Sequence, residues 1–336
     1  MRLLLFVLLA LAFSLGGYVA LQQHPLQHDA VSVSPPTTRA TPVPRSHLSH
    51  YRLPVAKSTP RRTPPFVAPA QAGNPPRDLR RRLAHSLPIL YLPRVLPART
   101  LSIPIMMYHH VSSLAPATEL NAGLTVTDSD FAAQLAYLRQ HAYHTILLRQ
   151  VFAALYHHAP LPAHPIVLTF DDGYLDNYTD ALPSLQRYHD RGEFNIITAY
   201  PGLTVGVNSY MTWPQIKALV HAGMEIGSHT VDHQDLGVLS LDKLRFELRD
   251  SRNVLQRSLG IPVQFLAYPS GEPFVHGSSE AQQRVVALLP AYGYVGAVLD
   301  GPLITTRQDA QAPFQLQRIR VSGGEGIAAF AASLQN

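Results

Sequence analysis

The chain has 336 residues, no cysteine and a formal net charge of +5. Without cysteine, a disulfide framework, a thiolate nucleophile and a lipoprotein anchor are excluded. The charge is divided, +10 over residues 22–100 and −6 over residues 101–336, and no basic, aromatic-interleaved motif of a nucleic-acid binder accompanies it.

Residues 3–21 are almost continuously apolar behind Met1 and Arg2. That length is at the edge of the ~20 residues that span a bilayer, and it reads as a cleaved secretory signal or an uncleaved anchor. Cleavage after Ala20 would put Tyr18 where a small residue is wanted, which leans towards the anchor. Either form predicts export of the body to the cell envelope, held on the membrane or secreted. Residues 22–100 hold 15 of the 29 prolines and read as an extended, disordered linker. Its basic charge suits anionic phospholipid or cell-wall polymer, or simply a soluble spacer.

From residue 101 onwards, 236 residues suffice for one α/β barrel, which takes ~250. Strand-like and helix-like segments alternate through it. Strands are predicted over 103–108, 145–148, 166–170, 195–199, 224–227, 263–268, 294–298 and 316–321. Helices are predicted over 128–138, 150–156, 180–189, 213–221, 280–289 and, as one long charged helix ending at Gly260, 241–259. Asn177-Tyr178-Thr179 fits a glycosylation sequon and reads as coincidence.

Two of these strands end in chemistry. The apolar run Ile166, Val167, Leu168, Phe170 stops abruptly at Asp171-Asp172-Gly173. Adjacent carboxylates repel, so a site that keeps both needs negative charge, for a divalent metal first and a proton-transfer pair second. An acidic turn is the plain alternative. The strand over 224–227 leads into Ser228-His229-Thr230-Val231-Asp232-His233. Histidines at i and i+4 share one face of a helical turn. Two strand ends of one parallel sheet would join them to an aspartate, and an Asp/His/His set with open positions suits a catalytic zinc.

Thr169-Phe170-Asp171-Asp172-Gly173-Tyr174 and Ser228-His229-Thr230-x-x-His233 resemble the first two motifs of the polysaccharide deacetylases, carbohydrate esterase family four with the NodB homology domain. Residues 104–111, 265–271 and 316–321 resemble the branch that deacetylates poly-N-acetylglucosamine in biofilms. The resemblance runs from about residue 103 to the C-terminus and implies a distorted (β/α)7 barrel as the catalytic domain, residues 101–336. It implies Asp171 as general base and Asp172, His229 and His233 as ligands of one divalent metal, zinc by its donor set.

The resemblance further implies an oxyanion donor near Tyr268. The segment Tyr268-Pro269-Ser270-Gly271 lacks the arginine that many deacetylases carry there. Arg318 is then the candidate for tuning Asp171, with a surface ion pair as the plain alternative. The Leu-x-His motif that supplies a general acid in the wider family is also missing, since no histidine follows His276. If the biofilm branch is circularly permuted, the corresponding strand lies at the front of the domain. His109 would then protonate the leaving amine and His110 would face away. Tyr174 and Trp213 are either sugar-stacking or core residues, and His141, His144, His157 and His158 read as surface.

These readings together predict an exported, metal-dependent N-deacetylase of a poly-N-acetylglucosamine-like polysaccharide, attached to the membrane through its N-terminal segment, with a polysaccharide synthase or export machinery as possible partner. A peptidoglycan or chitin deacetylase, an O-acetyl esterase and a catalytically silent sugar-binding module on a stalk are the alternatives.

Overall fold

The computed structural model describes residues 88–114, 118–300 and 305–335. The signal or anchor expected at residues 1–21, and the linker up to residue 87, lie outside the described residues. Among the described residues no helix is long and apolar enough to cross a membrane.

Eight short strands build one parallel sheet: β1 (Ile105–Tyr108), β2 (His144–Ile146), β3 (Pro165–Phe170), β4 (Glu193–Ile196), β5 (Glu225–Ser228), β6 (Phe265–Ala267), β7 (Gly296–Val298) and β8 (Ile319–Arg320). Seven run in the order β7-β6-β5-β4-β3-β1-β8, and β2 pairs with the first half of β3. The sheet curls until its outer strands approach each other, at a parallel bridge between Val298 and Leu316 just ahead of β8. The class is therefore α/β with a curled parallel sheet, whose last strand lies beside its first.

Strand alternation divides the side chains between two environments. From β3, Ile166, Leu168 and Phe170 join the outer core with Phe131, Leu135 and Leu185 of the covering helices. Val167 faces the concave side, where it meets Ile105, Phe265 and Val298. Leu148, Val151, Phe152 and Leu155 of the helix Leu148–His157 fill that same inner cluster. Full burial of each such side chain is worth about 1.5–3 kcal/mol. Arg149 of this helix donates to Glu225, the first residue of β5, at 2.7 Å, so the helix lies at the entry ends of the strands. The exit ends are left to carry a site.

Three expectations need correction. The helix foreseen over 241–259 is interrupted by a π-helical turn, Phe246–Asp250, before it ends at Gly260 in the left-handed conformation. Several strands are shorter than foreseen, mostly at their entry ends: β1, β6, β7 and β8 begin at residues 105, 265, 296 and 319. The folded body also begins before residue 101. Leu90, Leu92 and Leu96 pack on the inner cluster, and Leu90 exchanges two hydrogen bonds of 2.8 Å with the side chain of Gln264. Thr100–Ser102 then pairs with Arg307–Asp309.

Candidate active site

The exit ends of β1, β3, β5, β6 and β8 surround a cavity of about 530 Å3 lined by His109, Asp171, Asp172, His229, His233, Tyr268 and Arg320, among others. Consecutive residues of a strand point to opposite faces, yet Asp171 and Asp172 both reach this cavity. The chain achieves this by leaving the strand at once: Asp172 has φ +71° and Gly173 φ +81°. Aspartate and glycine are among the residues that enter the left-handed region most readily.

Asp171 is held in a fork. Arg318 Nη1 and Nη2 donate to its two oxygens at 2.8 and 2.7 Å, and Asn195 Nδ2 adds a third bond of 2.8 Å. Arg318 is 2% exposed and also donates through Nε to the Leu299 carbonyl, so the pair is a buried, planar clamp and no surface ion pair. Burial pushes the Asp171 carboxyl up, but Arg318 and His229 outweigh it and hold the group well below the usual carboxylate range. Asn195 reaches in over Gly227, where a Cβ would collide with its Oδ1. Beneath it lies Glu193, fully buried, with neither carboxyl oxygen hydrogen-bonded. Burial, then repulsion by Glu225, raise its carboxyl well above the usual range, which keeps it protonated.

Asp172, His229 and His233 each offer one ligand atom, and these three atoms lie within 4.8 Å of one another. His229 Nδ1 donates to the Ala267 carbonyl at 2.9 Å, which aims its Nε2 at the site, 3.3 Å from Asp172 Oδ1. Burial lowers this imidazole, but Asp171 and Asp172 outweigh it and raise it above the usual histidine value. His233 Nε2 lies 3.5 Å from the same oxygen. Burial, then the charge of the neighbouring His229, lower the His233 imidazole to about 4, so it presents a lone pair. Asp172 Oδ1 is buried and accepts no hydrogen bond. A carboxylate oxygen and two imidazole nitrogens converging on one point fit a divalent cation, which would take the place of a proton there. The two histidines do not share a helical turn, contrary to expectation. They sit on an irregular loop in which Thr230 and His233 have φ +66° and +63°.

His109 lines this cavity, whereas His110 faces a second cavity of about 280 Å3, bonded to Asp176 at 2.6 Å. The His109 Nδ1 is buried without a partner. Burial lowers its imidazole, against the opposite pull of Asp172 and Asp171. Tyr268 lines the cavity too, but its donors point elsewhere: the phenol to the Phe314 carbonyl at 3.0 Å, the N–H to the Val298 carbonyl at 3.3 Å. The expected oxyanion donor is therefore not Tyr268 itself. Tyr174 is buried, with one face covered by His110 at 3.6 Å, and Trp213 packs on the outer core. Tyr174 nonetheless lines the same cavity as the aspartates and histidines.

Residues 158–294 match the family model described as "Polysaccharide deacetylase". This chain carries a polysaccharide deacetylase domain. YxkH of Bacillus subtilis (strain 168), whose name places it with the polysaccharide deacetylases, is 28% identical over 234 residues, 70% of this chain and 76% of that protein. The poly-beta-1,6-N-acetyl-D-glucosamine N-deacetylase of Escherichia coli (strain K12) is 30% identical over 111 residues, 33% of this chain and 14% of that protein. Among solved structures, the Streptococcus pyogenes deacetylase PplD, in complex with acetate, superimposes with a TM-score of 0.62 at 26% identity, covering 71% of this chain and all of that one. IcaB from Ammonifex degensii gives 0.55 at 24% identity, covering 70% and 97%, a likeness of fold.

Three residues at this site were not singled out by the sequence. Asn177, read only as part of a chance sequon, is fully buried and donates to the His109 carbonyl at 2.7 Å, fixing the loop that carries this histidine. Asn195 contributes the third bond to Asp171, and only its place on a buried strand beside Glu193 could have marked it. Asp300 pairs with Arg320 at the mouth of the cavity.

Proposed function

We propose that the protein is an exported, metal-dependent N-deacetylase acting on a polymer of N-acetylated hexosamine of the poly-N-acetylglucosamine type. The observation that carries this reading is one ionised carboxylate, clamped by Arg318, beside a separate two-histidine, one-carboxylate set in the same cavity. The name of the Escherichia coli relative supports the polymer, and the apolar stretch at residues 3–21 supports export.

Asp172, His229 and His233 would hold the metal, zinc by their chemistry. When bound there, a divalent cation supplies a Lewis acid for the acetyl carbonyl and acidifies water. Asp171 takes the proton of the attacking water as oxygen bonds to the carbonyl carbon. The Arg318 fork keeps its carboxylate ionised and in one plane, ready for that transfer. Ser270, which lines the cavity in the loop after Tyr268, is the source of an oxyanion donor, since Pro269 has no N–H and the Gly271 N–H is spent on the Tyr268 carbonyl. His109 passes a proton to the nitrogen as the C–N bond breaks, so acetate and a free amine leave.

Acetate release by the full chain from β-1,6-linked N-acetylglucosamine oligosaccharides, chitin oligosaccharides and peptidoglycan tests this. Release from the first, abolished by chelator and restored by zinc or cobalt, is the expected result. Undiminished turnover in chelator overturns the metal assignment, and release from peptidoglycan alone overturns the polymer. Bound zinc with no hydrolysis of any acetyl substrate leaves a silent sugar-binding module.

A further inference from the structure

The loop that carries both metal-binding histidines has no secondary structure of its own, yet each of its five backbone N–H groups has an acceptor. His229 donates to the Ile196 carbonyl, Thr230 to Ser228 Oγ, and His233 to Thr230 Oγ1. The remaining two, Val231 and Asp232, both donate to a single oxygen, Oε2 of Glu247, at 2.8 and 3.2 Å. Three of the five N–H groups thus use acceptors that are local or belong to the adjacent strand. Glu247 alone reaches in from a helix.

Glu247 lies in the π-helical turn Phe246–Asp250 and is 1% exposed. It shares the inward face of its helix with Leu244, Leu248, Ser251 and Leu255, where an acidic side chain needs a reason. The same turn is tied to the exit end of β5: Ser251 Oγ donates to the Glu247 carbonyl at 2.6 Å and lies 2.8 Å from Ser228 Oγ. Single π turns within α-helices concentrate at functional sites. Here the turn stands directly behind the loop. Thr230 and His233 occupy left-handed backbone conformations that an unsupported loop would abandon.

We infer that Glu247 is a positioning residue for metal binding: its carboxylate, by clamping the amides of Val231 and Asp232, holds His229 and His233 in one geometry. This rests on the metal assignment above. Groups that orient ligands from behind typically govern metal affinity by about 10–100-fold.

The test compares wild type with Glu247→Ala, Glu247→Asp and Glu247→Gln in the full chain. Zinc affinity is measured by competition with a chromogenic chelator. Amide hydrogen exchange of residues 229–233 is followed in the metal-free protein. Glu247→Ala and the shortened Glu247→Asp should speed exchange at Val231 and Asp232 and weaken zinc about 10–100-fold. Glu247→Gln keeps an oxygen in place and should restore both. If exchange quickens and zinc affinity stays at the wild-type level, Glu247 is merely structural and the inference falls. Should the alanine variant not fold, the aspartate variant decides by the same two readings. A wild-type protein that binds no zinc instead removes the metal assignment, and that outcome is visible without any variant.

Discussion

Arg318→Met is the most informative single perturbation of this molecule. The guanidinium is fully buried and makes four hydrogen bonds, two of them to Asp171 and one each to Thr169 and the Leu299 carbonyl. Methionine fills much of the volume and removes the charge, leaving Asp171 ionised, buried and bonded only to Asn195. Breaking a buried pair by deleting one partner costs about 3–5 kcal/mol, mostly the penalty of the charge left behind. In a domain of this size that lowers Tm by about 6–20 °C. Urea unfolding of the full chain in chelator, so that bound metal adds nothing, measures the loss. The double variant Asp171→Asn, Arg318→Met should be more stable than Arg318→Met alone, because no orphaned carboxylate remains. A loss below about 1 kcal/mol, the worth of an exposed pair, would refute the clamp. So would strict additivity of the two single variants.

His109→Ala should depress turnover on an N-acetyl substrate far more than on an activated ester, whose leaving group needs little protonation, with zinc content unchanged. Equal losses on both substrates would take the general-acid role away from His109. Glu193 has a raised folded-state pKa, so it lowers stability as pH climbs above the unfolded carboxylate value, at up to about 1.4 kcal/mol per unit until the folded value is passed. Glu193→Gln should therefore match wild type near pH 4 and melt higher than wild type at alkaline pH. A parallel pair of pH–Tm curves would mean that Glu193 is ionised in the fold. Finally, a chain starting at residue 88 should fold and turn over like the full chain, whereas one starting at residue 101 forfeits the packing of Leu90, Leu92 and Leu96. It should lose about 3 kcal/mol, read as a shift of the urea midpoint, and equal midpoints would contradict that packing.

The sequence by itself determined the class, the order of elements and the identity of the central residues. Alternation of apolar strands with amphipathic helices is a local pattern, and Asp171-Asp172 and His229/His233 announce themselves because chemistry-bearing residues stop apolar runs abruptly. The family resemblance assigned roles to those four and drew attention to Arg318 and His109. What it left open was geometric. Whether Arg318 reached Asp171 or the solvent depended on the curl that lays β8 beside β1, a contact between residues 147 positions apart in the chain. The helical turn expected for His229-x-x-x-His233 did not form, because residues 230–233 satisfy their amides from Ser228, Thr230 and Glu247, acceptors that a helix would not have used. Asn177, Asn195 and Glu247 were silent in the sequence for a related reason. An amide or carboxylate side chain looks like any other polar residue until folding shows whether it faces water or a backbone group that nothing else can reach. Burial creates that distinction, and burial is a property of the assembled sheet and helices, not of any segment alone.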